Sequence, residues 1–267
     1  KNDSMASYTP YLQWVVTIFM ILFGINFNFF YLLLFRKFKK AFHMEEIRYY
    51  LLIILFAIGI IFFQTLQTSA GVFDAMTHSA FQVASIITTT GFSTIDFNQW
   101  SQVCKSILVL LMFVGACAGS TGGGIKVSRF AVLVKTVAKE LNSYIHPKSI
   151  KKINIEHKPV EHEVVRSINV YFITFMILFS ASVFAIAFEG RDLVTNFTAV
   201  AATINNIGPG LELVGPTSNF GIFTPFSKFV LMFDMLAGRL ELFPLLILFH
   251  PGIWKGVLSQ NIKRRKN

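Results

Sequence analysis

Five apolar segments dominate what this chain can fold into: residues 11–35, 48–67, 103–118 running on to about 140, 167–188 and 226–250. Each is long enough to cross a bilayer as a helix, which takes about 20 mostly apolar residues. Of the 24 Lys and Arg residues, 19 fall in three blocks, 36–48, 126–166 and the tail from 255. Basic loops stay on the cytoplasmic side, so the blocks put the N-terminus outside and the C-terminus inside. The net charge of +10 is thus a matter of topology, and no nucleic-acid surface is expected. With 54% hydrophobic residues and 30 phenylalanines, the composition is that of a membrane protein in contact with lipid.

Two further apolar segments, 72–87 and 191–204, are too short to cross, since a helix of that length reaches only ~21–24 Å. The spans flanking each run in opposite directions, so each short segment enters from the outer side and returns to it. Backbone that is irregular at membrane depth is tolerated only where protein buries it or water lines it. The unit of helix, short helix, polar turn with glycine, helix occurs twice. Gly91 and Gly208 lie 117 positions apart, and Arg48 and Arg166, near the start of each unit, 118. Both copies start on the same side, unlike the inverted repeats of many transporters. The expected fold is an all-α membrane protein of tandem parallel helix, re-entrant pore helix, helix repeats. Residues 1–40 read as the last helix of a preceding copy with its loop, 41–145 as one repeat, and 146–267 as the next with a basic tail. Two re-entrant loops cannot encircle an ion alone. The orphan first helix and the missing initiator Met therefore lead to the expectation of further copies upstream.

The polar turns read "ITTTGF" and "INNIGPG". Dehydrating a cation costs tens of kcal/mol unless other oxygens replace its water, and rings of backbone carbonyls achieve this for potassium. Glycine permits the conformations that turn successive carbonyls inward, and Gly91 and Gly208 stand where this is needed. Thr88, Thr89 and Thr90 add hydroxyls, and Asn205, Asn206 and Ile207 occupy the matching places. The competing reading is a pair of ordinary capped helix ends in surface loops.

"GACAGSTGGGIKVSRF", 115–130, interrupts the third apolar segment. Glycine disfavours helix by about 1 kcal/mol per residue, so unwinding is expected around Gly119, Ser120, Thr121, Gly122, Gly123 and Gly124. The phosphate-loop pattern fails, because Ile125 stands between Gly124 and Lys126. The run is either a flexible gate below the pore or a close-packing surface. Arg239 lies 31 positions after Gly208, as Gly122 does after Gly91. A fixed cation at that depth sets a barrier under a cation filter, or closes an ion pair with Asp234, with Glu241 or with a carboxylate of the missing half, and the two roles are compatible. Cys104 and Cys117 lack metal-ligand neighbours and read as packing residues, and the six histidines are scattered. No catalytic constellation, and no cofactor beyond a transported ion, is expected.

"ITTTGFST", "CAGSTGGGIKVSRF", "INNIGPG" and "LAGRLELFP", in that order, resemble the membrane subunit of the Trk/Ktr/HKT potassium transporter superfamily, of TrkH type. The resemblance implies four such repeats in one chain, of which residues 41–145 and 146–267 correspond to the third and fourth. Alone, this chain is expected not to conduct. It also implies K+ sites at the carbonyls of residues 88–91 and 205–208, a gating loop at 119–124, and Arg239 below the filter. As partners it implies a homodimer and a cytosolic nucleotide-binding regulatory ring (TrkA-like), and as location the bacterial inner membrane. The function expected is potassium uptake down the electrochemical gradient. Sodium-permeable or sodium-coupled transport and a non-conducting scaffold subunit are the alternatives.

Overall fold

The structure, a computed structural model, describes residues 3–146, 152–155, 158–240 and 242–248. It is predominantly helical with almost no sheet, as expected of an all-α membrane protein. Glu241, Lys148, Lys151 and the basic tail lie outside the described residues.

Segment 11–35 is not one straight helix. α1 (Pro10–Phe23) and α2 (Phe27–Leu34) meet at 91°. Gly24 ends α1, and Asn26 starts α2 by accepting a hydrogen bond from Asn28 N at 2.8 Å. The bend also brings Gly24 so close to Tyr50 that a Cβ there would strike its hydroxyl. After the short α3 (Phe38–Phe42) comes α4 (Glu45–Thr65), with Glu45 and Glu46 in its first turn, where the helix dipole favours anions. α5 (Val72–Ile87) and α9 (Leu193–Ile204) coincide closely with the two short segments.

The third and fifth segments are also broken. α6 (Gln102–Val114) and α7 (Val127–Ile145) flank the glycine run. α10 (Pro225–Arg239) stops before α11 (Leu242–Leu248). Of the expected spans, α4 and α8 (His162–Ala187) alone, among the described residues, are single helices long and apolar enough to cross a membrane. A two-stranded hairpin, β1 (Asn154–Ile155) with β2 (Lys158–Pro159), precedes α8.

Order and packing repeat together. α4, α5, polar loop, α6 is followed by α8, α9, polar loop, α10. Each short helix packs against the helices before and after it in its own unit, and against the last helix of the unit before: α5 against α1, α9 against α6. Every residue from 79 to 87 is buried, and from 195 to 205 only Phe197 is partly exposed. Protein thus surrounds both short helices, as irregular backbone following them at membrane depth requires. Phe113, Phe179 and Phe197 tie the units edge to face, with ring centroids 5.0 to 5.4 Å apart for Phe179–Phe197 and Phe113–Phe179.

Candidate cation site

Each short helix ends in the same hydrogen-bonded motif. Thr90 N reaches Ser85 O at 2.9 Å and Thr89 N reaches Ile86 O at 3.1 Å. In the second unit Ile207 N reaches Ala202 O at 2.8 Å and Asn206 N reaches Thr203 O at 3.0 Å. This is a Schellman ending, whose first residue past the cap is left-handed and usually glycine. Here that position is held by Thr89, with φ 55°, and Asn206, with φ 56°. Two residues on, Gly91 and Gly208 are left-handed again, with φ 79° and 112°. The caps also match: Thr88 Oγ1 donates to Ala84 O at 2.7 Å, and Asn205 Nδ2 to Ala201 O at 2.9 Å.

This backbone frees its oxygens. Among the described residues, no carbonyl of 88–91 or 205–208 accepts a hydrogen bond, although Thr88 and Asn205 are buried. Left-handed residues at alternate positions turn neighbouring carbonyls toward one side, and unpaired carbonyls at the C-terminal end of a helix, where the dipole is negative, suit a cation. The two loops stand side by side. A Cβ on Gly91 would run into Ile207 O, whereas one on Gly208 would meet nothing within 4 Å. Beside Gly208 a cavity of about 580 Å3 opens, lined by Asn206, Ile207, Leu231 and Met235. Beyond the two glycines Asn98 exchanges two hydrogen bonds with the backbone of Glu212, at 3.1 and 2.9 Å, and Lys105 pairs with the Glu212 carboxylate at 3.4 Å. These contacts fix the level of one loop against the other.

The glycine run lies against the first residues of both loops. Gly123 N donates to Thr89 Oγ1 at 2.7 Å, and a Cβ on Gly123 would stand 2.5 Å from Asn205 O. A Cβ on Gly122 would come within 3.2 Å of Thr88 O. Glycine is required here by proximity, and at Gly115, Gly119 and Gly124 also by φ of 68° to 77°. The α1–α2 bend holds the run from one side: Cys117 N donates to Gly24 O at 3.0 Å, and Phe27 N to Gly119 O at 3.1 Å. Cations hold it from the other: Lys126 Nζ donates to Gly122 O, and Arg239 to Thr121 O at 3.1 Å. Ser120 Oγ closes a local turn on Cys117 O at 2.6 Å.

Arg239 is therefore level with the run, as its spacing indicates, but it does not pair with Asp234. That carboxylate is fully buried and accepts from Ser182 Oγ of α8 at 2.7 Å. Cys104 and Cys117 are buried and unbridged.

Glu46 is a site residue that no motif marks out. Its Oε1 accepts from Ala118 N at 2.6 Å and Ser128 N at 3.2 Å, so one carboxylate fastens the start of the run and caps α7 after it. An acidic pair inside a basic block, "HMEEIR", was the available signal. Tyr50 is another; its hydroxyl donates to Ile21 O at 3.1 Å and braces the last turn of α1.

A family model described as "TrkH: Cation transport protein" matches residues 1–255. The chain is 33% identical over 261 residues to the Trk system potassium uptake protein TrkH of Salmonella typhimurium, covering 95% of this chain and 53% of that protein. It is 33% identical over 260 residues to the Trk system potassium uptake protein TrkG of Escherichia coli, with the same two shares, 95% and 53%. The crystal structure of the potassium transporter TrkH from Vibrio parahaemolyticus is similar at a TM-score of 0.85 and 32% identity, over 94% of this chain and 55% of that one. The chain spans about half the length of these relatives.

Proposed function

Because the chain belongs to the TrkH family of cation transport proteins, we propose that it forms part of a potassium uptake pathway. In this reading residues 88–91 and 205–208 supply two of four quarters of a filter, in which backbone carbonyls replace the water around K+. The observation that carries the reading is the duplicated loop, with left-handed residues at alternate positions and eight carbonyls that have no hydrogen-bond donor among the described residues. Residues 41–145 and 146–267 are the units that present these quarters, and residues 1–40 end a preceding unit. The open face beside Gly208 is where a further quarter would stand in a closed ring.

The loop at 119–124 is the gate in this account. It sits on the inner carbonyls of both quarters, so an ion leaving the filter inward must displace it. Arg239 and Lys126 hold its carbonyls and place positive charge at that level. Potassium then moves inward down the membrane potential, worth about 2.3 kcal/mol per charge per 100 mV. The basic blocks put α7 and the hairpin on the cytoplasmic side of the inner membrane. A homodimer and a cytosolic regulatory ring of nucleotide-binding subunits complete the proposed assembly.

The test is Gly91→Ser in the full-length protein. The added side chain must adopt a left-handed φ and push aside Ile207 O, so the rubidium-to-sodium flux ratio is expected to fall at least tenfold with the protein still inserted. Unchanged fluxes of both ions would remove Gly91 from the filter.

A further inference from the structure

At the basic end of the molecule a cavity of about 670 Å3 lies between α7 and the start of α8. Lys139, Lys152, His162 and Arg166 line it, together with Glu140 and Glu161. None of Lys139, Lys152 and Arg166 forms an ion pair among the described residues. The cavity wall is firmly placed. Lys135 pairs with Glu45 at 2.5 Å and donates to Asn154 O at 2.8 Å, and Val160 N donates to Ile153 O at 2.8 Å, which holds the hairpin and Lys152 beside α7. A smaller cavity of about 320 Å3 opens on the other side of Lys139 and Lys152.

The rest of the lining is mostly apolar, with Thr136 and Asn169 as its polar members, and the apolar surface continues. Along α8, Arg166, Val170, Ile173 and Ile177 recur at three- and four-residue spacing and so share one helix face. Val170, Ile173 and Ile177 are 43%, 58% and 65% exposed. A shallow groove over Ile173, Met176, Ile177 and Ser180 lies on that same face. From Arg166 to Ser180 the helix extends ~21 Å, more than the ~15 Å half-thickness of a bilayer's hydrocarbon core. Cations at the level of the headgroups, followed by an apolar strip running into the membrane, match a molecule with an anionic head and a long hydrocarbon tail.

We propose that this cleft and strip bind one anionic phospholipid, its phosphate held by Lys139, Lys152 and Arg166 and one acyl chain lying along α8. Basic pockets between membrane helices on the cytoplasmic side are suited to such headgroups. A free phosphate would use the cations and leave the strip uncovered. The site is independent of the filter reading and requires only that the basic end face the cytoplasmic leaflet.

The test uses the full-length protein, stripped of lipid and titrated with phosphatidylglycerol or phosphatidylethanolamine of identical chains, with bound lipid counted by native mass spectrometry. Phosphatidylglycerol is expected to bind at least tenfold tighter, and glycerol phosphate alone not to compete. Replacing all three cations (Lys139→Gln, Lys152→Gln, Arg166→Gln) should weaken phosphatidylglycerol about a hundredfold. This follows from about 1 kcal/mol per basic residue near an anionic surface, at 1.4 kcal/mol per tenfold. Should the triple variant misfold, Arg166→Gln alone is expected to lose about fivefold. Ile177→Asn, in the strip, should also weaken binding. Equal retention of the two lipids, or full competition by glycerol phosphate, overturns the proposal. So does a disulfide between Ile177→Cys residues of two copies, because a second chain would then cover the strip.

Discussion

Thr89 is the residue on which the proposed filter and the proposed gate meet. A β-branched residue is a poor occupant of the left-handed region, and backbone strain of this kind costs of order 1–3 kcal/mol. Its return is the hydrogen bond between Gly123 N and the Thr89 hydroxyl, 2.7 Å long, which no glycine could make. Thr89→Ser keeps the hydroxyl, and transport in the full-length protein should stay under regulation. Thr89→Val keeps the shape and loses the acceptor, so flux through the resting state should rise several-fold. Equal behaviour of the two variants would show that the hydroxyl has no part in gating. The threonine run was legible in the sequence because three hydroxyls and a glycine follow an apolar stretch too short to span. The partner of Thr89 was not legible, since a backbone N–H leaves no mark on the side-chain pattern.

At the scale of elements the proposed gate is a loop of about a dozen residues between α6 and α7, fastened at several points along its length. Removing Glu46 (Glu46→Ala) deletes two charge-assisted hydrogen bonds, each worth about 1.5–3 kcal/mol. Amide hydrogen exchange of residues 115–126 should then quicken and resting flux should rise. Exchange unchanged in that loop would show that Glu46 serves α7 alone. Deleting Gly122, Gly123 and Gly124 should raise resting flux further, with the protein still inserted, and flux that stays fully tied to regulator state would argue for a packing role. The broken helices show where pattern reading runs out. "FGINFNF" carries Gly24 and Asn26 inside an otherwise apolar run. Hydropathy averages over them, whereas the backbone bends there to meet Tyr50 and Gly119. Arg239 does lie beside the glycine run, but its acceptor is the Thr121 carbonyl, while Asp234, the nearby acid in sequence, turns toward Ser182.

For the whole molecule, the repeat was the most legible feature. The 117-residue spacing of Gly91 and Gly208 reappears as matching φ angles and matching hydrogen bonds at the two helix ends. The packing of α5 on α1 and of α9 on α6 shows the same relation carried from one unit to the next, as a ring of parallel units demands. The central claim is that the free carbonyls of these loops hold a potassium-sized cation. Crystals of the full-length protein soaked in rubidium or thallium salts test it by anomalous diffraction. The expected result is density on the axis between residues 88–91 and 205–208, on the outer side of the glycine run. Density found only elsewhere, with these loops unoccupied at saturating ion, would contradict it.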